Sequence, residues 1–212
     1  MPDFQPSPVL VLISAPSGAG KTTVTRRLLA STPGMERVVT CTTRPPRGGE
    51  RDGVDYHFLG RPEFENRVAA GEFMEHAEVY GNRYGTLKAS VLNRLEAGVD
   101  VVLSVDVQGA ESIRAVASED VAIGRALVSV FIMPPSIEEL ERRLRGRNED
   151  SDAVVARRLA LAREEMEHWR HFQYLLVSGT MDEDLMAMQR ILAAERMRTQ
   201  RMRVQTEPLF QQ

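Results

Sequence analysis

The chain is 212 residues long, 42% hydrophobic and 27% charged, room for one full α/β domain or two small ones and a balance that excludes disordered, collagen-like and coiled-coil chains. No apolar run approaches the roughly 20 residues that span a bilayer, and Met1 to Pro6 lacks the basic start expected of a secretion signal. With 27 basic against 30 acidic side chains the net charge is -3, so nothing global favours a nucleic-acid or membrane partner, while a single cysteine, Cys41, forbids an internal disulfide or a cysteine-based zinc site and fits a reducing cytoplasm.

In chain order, Val9 to Ile13 is a short β-branched run that predicts a strand buried on both faces. A Gly-rich turn leads into helical periodicity from Lys21 to Ala30 (Val24, Leu28, Leu29), closed by Pro33-Gly34. Residues 38–88 differ in character: richer in Gly, Arg, Tyr and Glu, in short alternating segments, they read as an inserted mixed α/β lobe. Val99 to Val105, Leu127 to Ile132 and Tyr174 to Val177 are further core strands, and strands separated by helices imply a mostly parallel sheet with helices on both faces. Ser136 with Glu139 and Thr180 with Glu183 have capping-box spacing. The charge-dense stretch 142–152 should be exposed, Met181, Met186 and Met188 read as core packing, and Arg196, Arg198, Arg201 and Arg203 read as a solvated basic helix end. Residues 1–8 and 199–212 are expected to be loose ends.

Ala15-Pro16-Ser17-Gly18-Ala19-Gly20-Lys21-Thr22, with Thr23 next, follows a predicted strand and opens a helix. It meets the phosphate-loop pattern G-x-x-x-x-G-K-[ST] except at Ala15, where the pattern has Gly. Small residues let backbone N–H groups converge on phosphates, the helix N-terminus adds positive potential, Lys21 reaches the β- and γ-phosphates, and the Thr22 hydroxyl can ligate Mg²⁺. A Gly-rich strand-to-helix turn with a chance lysine is the bland alternative. The motif indicates a nucleotide and a metal, not a reaction.

Thr40-Cys41-Thr42-Thr43-Arg44-Pro45-Pro46-Arg47-Gly48-Gly49-Glu50 is followed by Asp52-Gly53-Val54-Asp55-Tyr56, then Phe73-Met74-Glu75-His76-Ala77 and Gly81-Asn82-Arg83-Tyr84-Gly85-Thr86. These strings resemble the guanylate kinase family, and the likeness continues through Asp106-Val107-Gln108-Gly109, Pro134-Pro135-Ser136 and Leu144-Arg145-Gly146-Arg147, covering about residues 9–198 with the motifs in family order. The residues also make chemical sense alone. Arg44 and Arg47 flank a proline-stiffened turn suited to aiming two guanidinium groups at one phosphate, with Tyr56 and Tyr84 as hydroxyl donors. A carboxylate at Glu75 accepts from the N1–H and 2-amino group of guanine, whereas adenine presents an acceptor at N1; Thr40 and Thr86 would answer the O6 edge. For any one of these residues, a surface arginine or a core tyrosine is the ordinary reading.

The resemblance implies a phosphate-loop nucleoside-monophosphate-kinase fold: an α/β core (9–37, 89–140 and 166–198), a GMP-binding lobe (38–88) and a small helical lid (141–165). It implies ATP and GMP, with dGMP also accepted, as substrates, Mg²⁺ as cofactor, and no nucleic-acid or membrane partner; monomer and homo-oligomer both stay open. Arg44, Arg47, Tyr56 and Tyr84 would hold the GMP phosphate, Thr40, Glu75 and Thr86 would read the base, and Asp106 would sit by the base or, with Thr22, the metal. Lys21 and the lid arginines Arg143, Arg147 and Arg158 would act in catalysis, Arg143 and Arg147 sharing a helix face if the helix runs past Gly146. Two departures stand out: Ser104 where the family often has a first acid of a D-x-D pattern, and Ser178-Gly179-Thr180 where an Asn is usual. An inactive binding module of the same family, or a kinase for another nucleoside monophosphate, is the rival reading.

Overall fold

A computed structural model describes residues 4–146 and 151–204. The first elements are β1 (Phe4–Pro6), β2 (Leu10–Ser14), α1 (Lys21–Ser31) and β3 (Met35–Arg37). The inserted segment then forms β4 (Cys41–Thr42), β5 (His57–Phe58), α2 (Arg61–Ala69), β6 (Phe73–Val79) and β7 (Asn82–Leu87). The chain returns through α3 (Lys88–Glu96), β8 (Asp100–Ser104), α4 (Val107–Glu119), α5 (Val121–Ala126), β9 (Leu127–Met133) and α6 (Ile137–Arg145). It ends with α7 (Asp152–Glu167), β10 (Tyr174–Val177), α8 (Met181–Arg196) and β11 (Met202–Val204).

The main sheet is five-stranded and parallel, in the order β10-β9-β2-β8-β3. β2 is its spine, and its two-residue period splits two cores. Val9, Val11 and Ile13 join Val128, Val130, Leu28 and Leu140 on one face, while Leu10 and Leu12 join Val101, Leu103 and Ile113 on the other. A strand apolar at every position is what burial on both faces requires. From β2 the chain runs first to the β8–β3 side and later to the β9–β10 side. The carboxyl end of β2 is therefore the switch point where a ligand crevice forms in open α/β sheets.

The lobe is built on a second sheet, β5-β4-β7-β6. Tyr80 (φ 50) and Gly81 (φ 78) make the two-residue turn between β6 and β7, both central φ positive as a twist-matched hairpin needs. A β-bulge interrupts β6: Phe73 pairs with Leu87 but Glu75 pairs with Thr86. Phe73 turns into the lobe, stacked on Phe64 at 4.5 Å, and Met74 into the main core. A Cβ at position 85 would lie 2.8 Å from the Phe73 ring, so Gly85 is fixed by that close approach.

Several expectations are corrected. Phe4–Pro6 pairs antiparallel with Met202–Val204, so neither end is loose through those residues. Of the basic set at the helix end, Arg198 is exposed but Arg201 is internal, 6% exposed, its guanidinium donating to the Glu195 carboxylate at 3.1 Å and to the carbonyls of Arg125 and Leu127. Arg198 also pairs with Glu195, and Arg196 with Asp100. Of the three methionines only Met188 is buried; Met181 and Met186 are exposed. The Thr180 capping box is complete, whereas Ser136 accepts from the Glu139 N–H but Glu139 turns its carboxylate to Arg142 and Arg143. α6 stops at Arg145, with Gly146 as its cap. The shared helix face expected of Arg143 and Arg147 is therefore not formed by α6, and Arg147 itself lies outside the described residues.

Removing one member of a buried ion pair strands the other's charge. Arg201→Ala should therefore cost about 3 kcal/mol of folding stability, read by urea unfolding; a loss below about 1 kcal/mol would mean that the Glu195 pair contributes no more than a surface one.

Candidate functional site

The loop after β2 carries the two positive-φ glycines its shape needs, Gly18 (φ 90) and Gly20 (φ 97). Gly18 has a second reason: a Cβ there would meet Leu144 at 2.8 Å, because α6 packs down on the loop. Ala15 is buried and has no positive φ, so the departure from Gly carries no backbone strain. Gly20 caps α1 with no side-chain hydrogen bond, which leaves the first N–H groups of the helix for an anion. Pro16, Ser17 and Ala19 belong to this loop, and Lys21, Thr22 and Thr23 open α1.

Lys21 donates from Nζ to the Val105 carbonyl at 3.0 Å, bridging the loop to the end of β8. Burial pulls its ammonium below the usual lysine value, opposed by the charges of Asp106 and Glu165. Glu165, on α7, accepts from the Ser17 N–H at 3.2 Å; its carboxyl is pushed up by burial and held down by that bond and by Lys21. No sequence signal marks it, since Glu164 and Glu165 look alike on a charged helix.

A cavity of about 530 Å³ opens between the lobe and the main sheet. Thr22 and one face of α1, the end of β8 with Ser104 and Asp106, and Thr40 form one side; Tyr56, Glu75, Tyr84 and Thr86 form the lobe side. The bulge in β6 sets Glu75 directly across from Thr86, and the Thr86 hydroxyl donates to the Glu75 carboxylate at 2.6 Å. Burial pushes the Glu75 carboxyl above its usual range; Thr86 opposes this and the nearby Asp106 charge adds to it. Asp106 caps α4, accepting from the Gly109 N–H at 2.8 Å. A Cβ at Gly109 would meet the Val105 Cβ at 3.1 Å, with Asp106 and Glu75 at ordinary contact distances of 3.4 and 3.5 Å.

Arg44, 8% exposed, does not itself line the cavity but lies with its guanidinium carbon 4.9 Å above the ring of Tyr56, which does. Arg47 is exposed and is not among the lining residues. Arg143 is engaged elsewhere, with Glu139 at 2.7 Å and the Ser178 hydroxyl at 3.3 Å, and Arg158 is half-buried on α7. Thus one cavity gathers Thr40, Glu75 and Thr86, the two tyrosines, Thr22 and Asp106, while Arg143 and Arg158 stand apart from it. Among the described residues no group of three or more His, Cys, Asp or Glu is placed to hold a metal. Thr22 and Asp106 supply two hard oxygen donors, which suits a cation that keeps several waters and leans on substrate phosphates.

Comparison with known proteins finds relatives over most of the chain. The family model described as guanylate kinase matches residues 7–195. The chain is 47% identical over 193 residues to a guanylate kinase of Paramagnetospirillum magneticum, covering 91% of this chain and 87% of that one. It is likewise 47% identical to one of Cereibacter sphaeroides, covering 91% and 89%. The crystal structure of a guanylate kinase from Anaplasma phagocytophilum superposes with a TM-score of 0.70 at 34% identity, covering 94% of this chain and 92% of that one.

The buried carboxylate has a measurable cost. With its folded pKa raised above the ordinary 4.5, Glu75 favours the folded state most below that value, and the contribution is lost as pH rises through the folded pKa. Glu75→Gln should therefore raise the melting temperature of the ligand-free protein at neutral pH, and the gain should vanish in acid. A variant that melts at or below wild type at neutral pH would contradict a burial penalty at this residue.

Proposed function

This chain belongs to the guanylate kinase family, and from that premise we propose how its residues pass the γ-phosphoryl group of ATP to GMP, giving ADP and GDP. It is a nucleoside monophosphate kinase. ATP is held by residues 15–23, with the open N–H groups of α1 and the ammonium of Lys21 on its phosphates. To reach them Lys21 exchanges the Val105 carbonyl for phosphate oxygens.

GMP occupies the inter-lobe cavity. Glu75 accepts from the guanine N1–H and 2-amino group, and Thr40, Thr86 and Asp106 complete the base contacts. Arg44, Arg47, Tyr56 and Tyr84 take the phosphate. Adenine would leave a buried carboxylate facing an acceptor, an unpaired polar contact that such pockets reject strongly. The observation that carries the proposal is that the Glu75–Thr86 pair shares one cavity with Thr22 at the phosphate loop, so a guanine held at one end directs its phosphate toward the donor.

Transfer then needs in-line positioning and cations around the spreading charge, with no covalent intermediate on the protein. Lys21 supplies one cation; Arg143, Arg147 and Arg158 supply the others when the lid region (141–165) closes on the core and expels water. Thr22 directly, and Asp106 in part through water, would hold Mg²⁺, which when bound offsets charge on the phosphate oxygens. Ser104, exposed in the cavity, leaves Asp106 without the second acid. The division into core, lobe (38–88) and lid, a cytoplasmic site in guanine nucleotide metabolism, and acceptance of dGMP belong to the same proposal.

A coupled assay with GMP, dGMP, AMP and UMP tests the acceptor: turnover should be confined to the guanine nucleotides, and no activity with any acceptor would favour an inactive binding module. Lys21→Ala should lower kcat by about 10²- to 10³-fold while GMP still binds by calorimetry; wild-type turnover in that variant would remove Lys21 from the mechanism.

A further inference from the structure

We propose that Glu50 is a positioning residue that decides which edge of the Arg44 guanidinium is offered to the acceptor phosphate; the inference rests on the reading in which Arg44 binds that phosphate. The local chain is built to bring Glu50 back onto Arg44. Pro45 and Pro46 stiffen the outward run. The Glu50 N–H then closes a turn on the Arg47 carbonyl at 3.0 Å, with Gly49 supplying the positive φ of 89° that its third position demands.

The carboxylate of Glu50 then grips the end of the guanidinium, Nη1 and Nη2 each donating at 2.6 Å. Nη1 gives its second hydrogen to the Pro45 carbonyl at 3.0 Å. A guanidinium has five N–H donors in a fixed fork; three are committed to Glu50 and Pro45, which leaves Nε–H and one hydrogen of Nη2 for Tyr84, also hydrogen-bonded to Arg44, and for a phosphate. Those two point in parallel from one side edge, the geometry that meets a phosphate in a bidentate way. The same carboxylate oxygen that holds Nη1 also accepts from the Arg47 N–H at 2.7 Å, so one acid ties the Arg44 guanidinium to the backbone of Arg47. With Tyr56 beneath the guanidinium plane, Arg44 has neither rotation nor a free end.

Two effects of opposite sign separate this role from simple charge. Glu50 is held ionised, its carboxyl pulled down to about 2 chiefly by the Arg44 hydrogen bonds, and a fixed negative charge beside a phosphate site repels the ligand. If charge alone mattered, removing it would tighten GMP binding. If orientation matters, removing it weakens GMP binding although the repulsion is gone.

Steady-state kinetics of Glu50→Gln decide between them. The expected result is a KM for GMP raised roughly tenfold or more, kcat changed less than about threefold, and KM for ATP unchanged. In an Arg44→Ala background the same substitution should add nothing, because the group it orients is absent. Should Glu50→Gln melt early, Glu50→Asp, which keeps the charge but shortens its reach, carries the same test with the same expected rise. A KM for GMP at or below wild type, or a full additional loss on top of Arg44→Ala, overturns the assignment. Wild-type protein inert on GMP is a different failure: it removes the premise about the phosphate site, and the inference with it.

Discussion

A carboxylate withdrawn from water and hydrogen-bonded by its cross-strand neighbour is the contact on which the rest of the molecule turns. Glu75 accepts from Thr86, lies close to a second acid at Asp106, and lines an inter-lobe cavity. Left alone, that arrangement is unfavourable. A ligand that brings N–H donors would relieve it, which is how the proposed selectivity arises: as an unmet electrostatic demand. The backbone that enforces it is equally specific: a bulge at Met74 brings Glu75 opposite Thr86.

The two halves of the site stand on different supports. The phosphate loop springs from a strand buried on both faces and is pinned by α6 against Gly18, so its N–H groups are arranged before nucleotide arrives. The segment proposed to take the acceptor phosphate is a loop, and its order comes from polar contacts: Glu50 on Arg44, the Arg47 N–H on Glu50, and Tyr56 below. Rigid scaffold on one side and a self-braced loop on the other suit a reaction whose catalysis is mostly positioning.

Much of this was legible in the amino-acid order because it depends on local signals. The β-branched run at Val9 to Ile13, the Gly-Lys-Thr start of α1 and the composition change at residue 38 each reflect a physical demand made within a few residues. What escaped depends on partners far along the chain. Arg201 looks like any solvated arginine until the Glu195 carboxylate and the Arg125 and Leu127 carbonyls close around it. Glu165 meets Ser17 across 148 positions, and the bulge at Met74 depends on Phe73 and Met74 finding separate cores. Helical spacing alone likewise could not tell buried Met188 from exposed Met181 and Met186.

Selectivity carried by one acid can be probed by deleting a single hydrogen-bonding group from the ligand. Inosine monophosphate keeps the ring N1–H and O6 of GMP and lacks only the 2-amino group, so one of the two N–H bonds to Glu75 is lost while shape and phosphate are kept. Comparison of kcat/KM for GMP and inosine monophosphate on the wild-type protein should show a preference for GMP of roughly 10- to 100-fold, the worth of one hydrogen bond to a charged acceptor. Equal values for the two nucleotides would contradict the assignment of Glu75 as the group that reads the base.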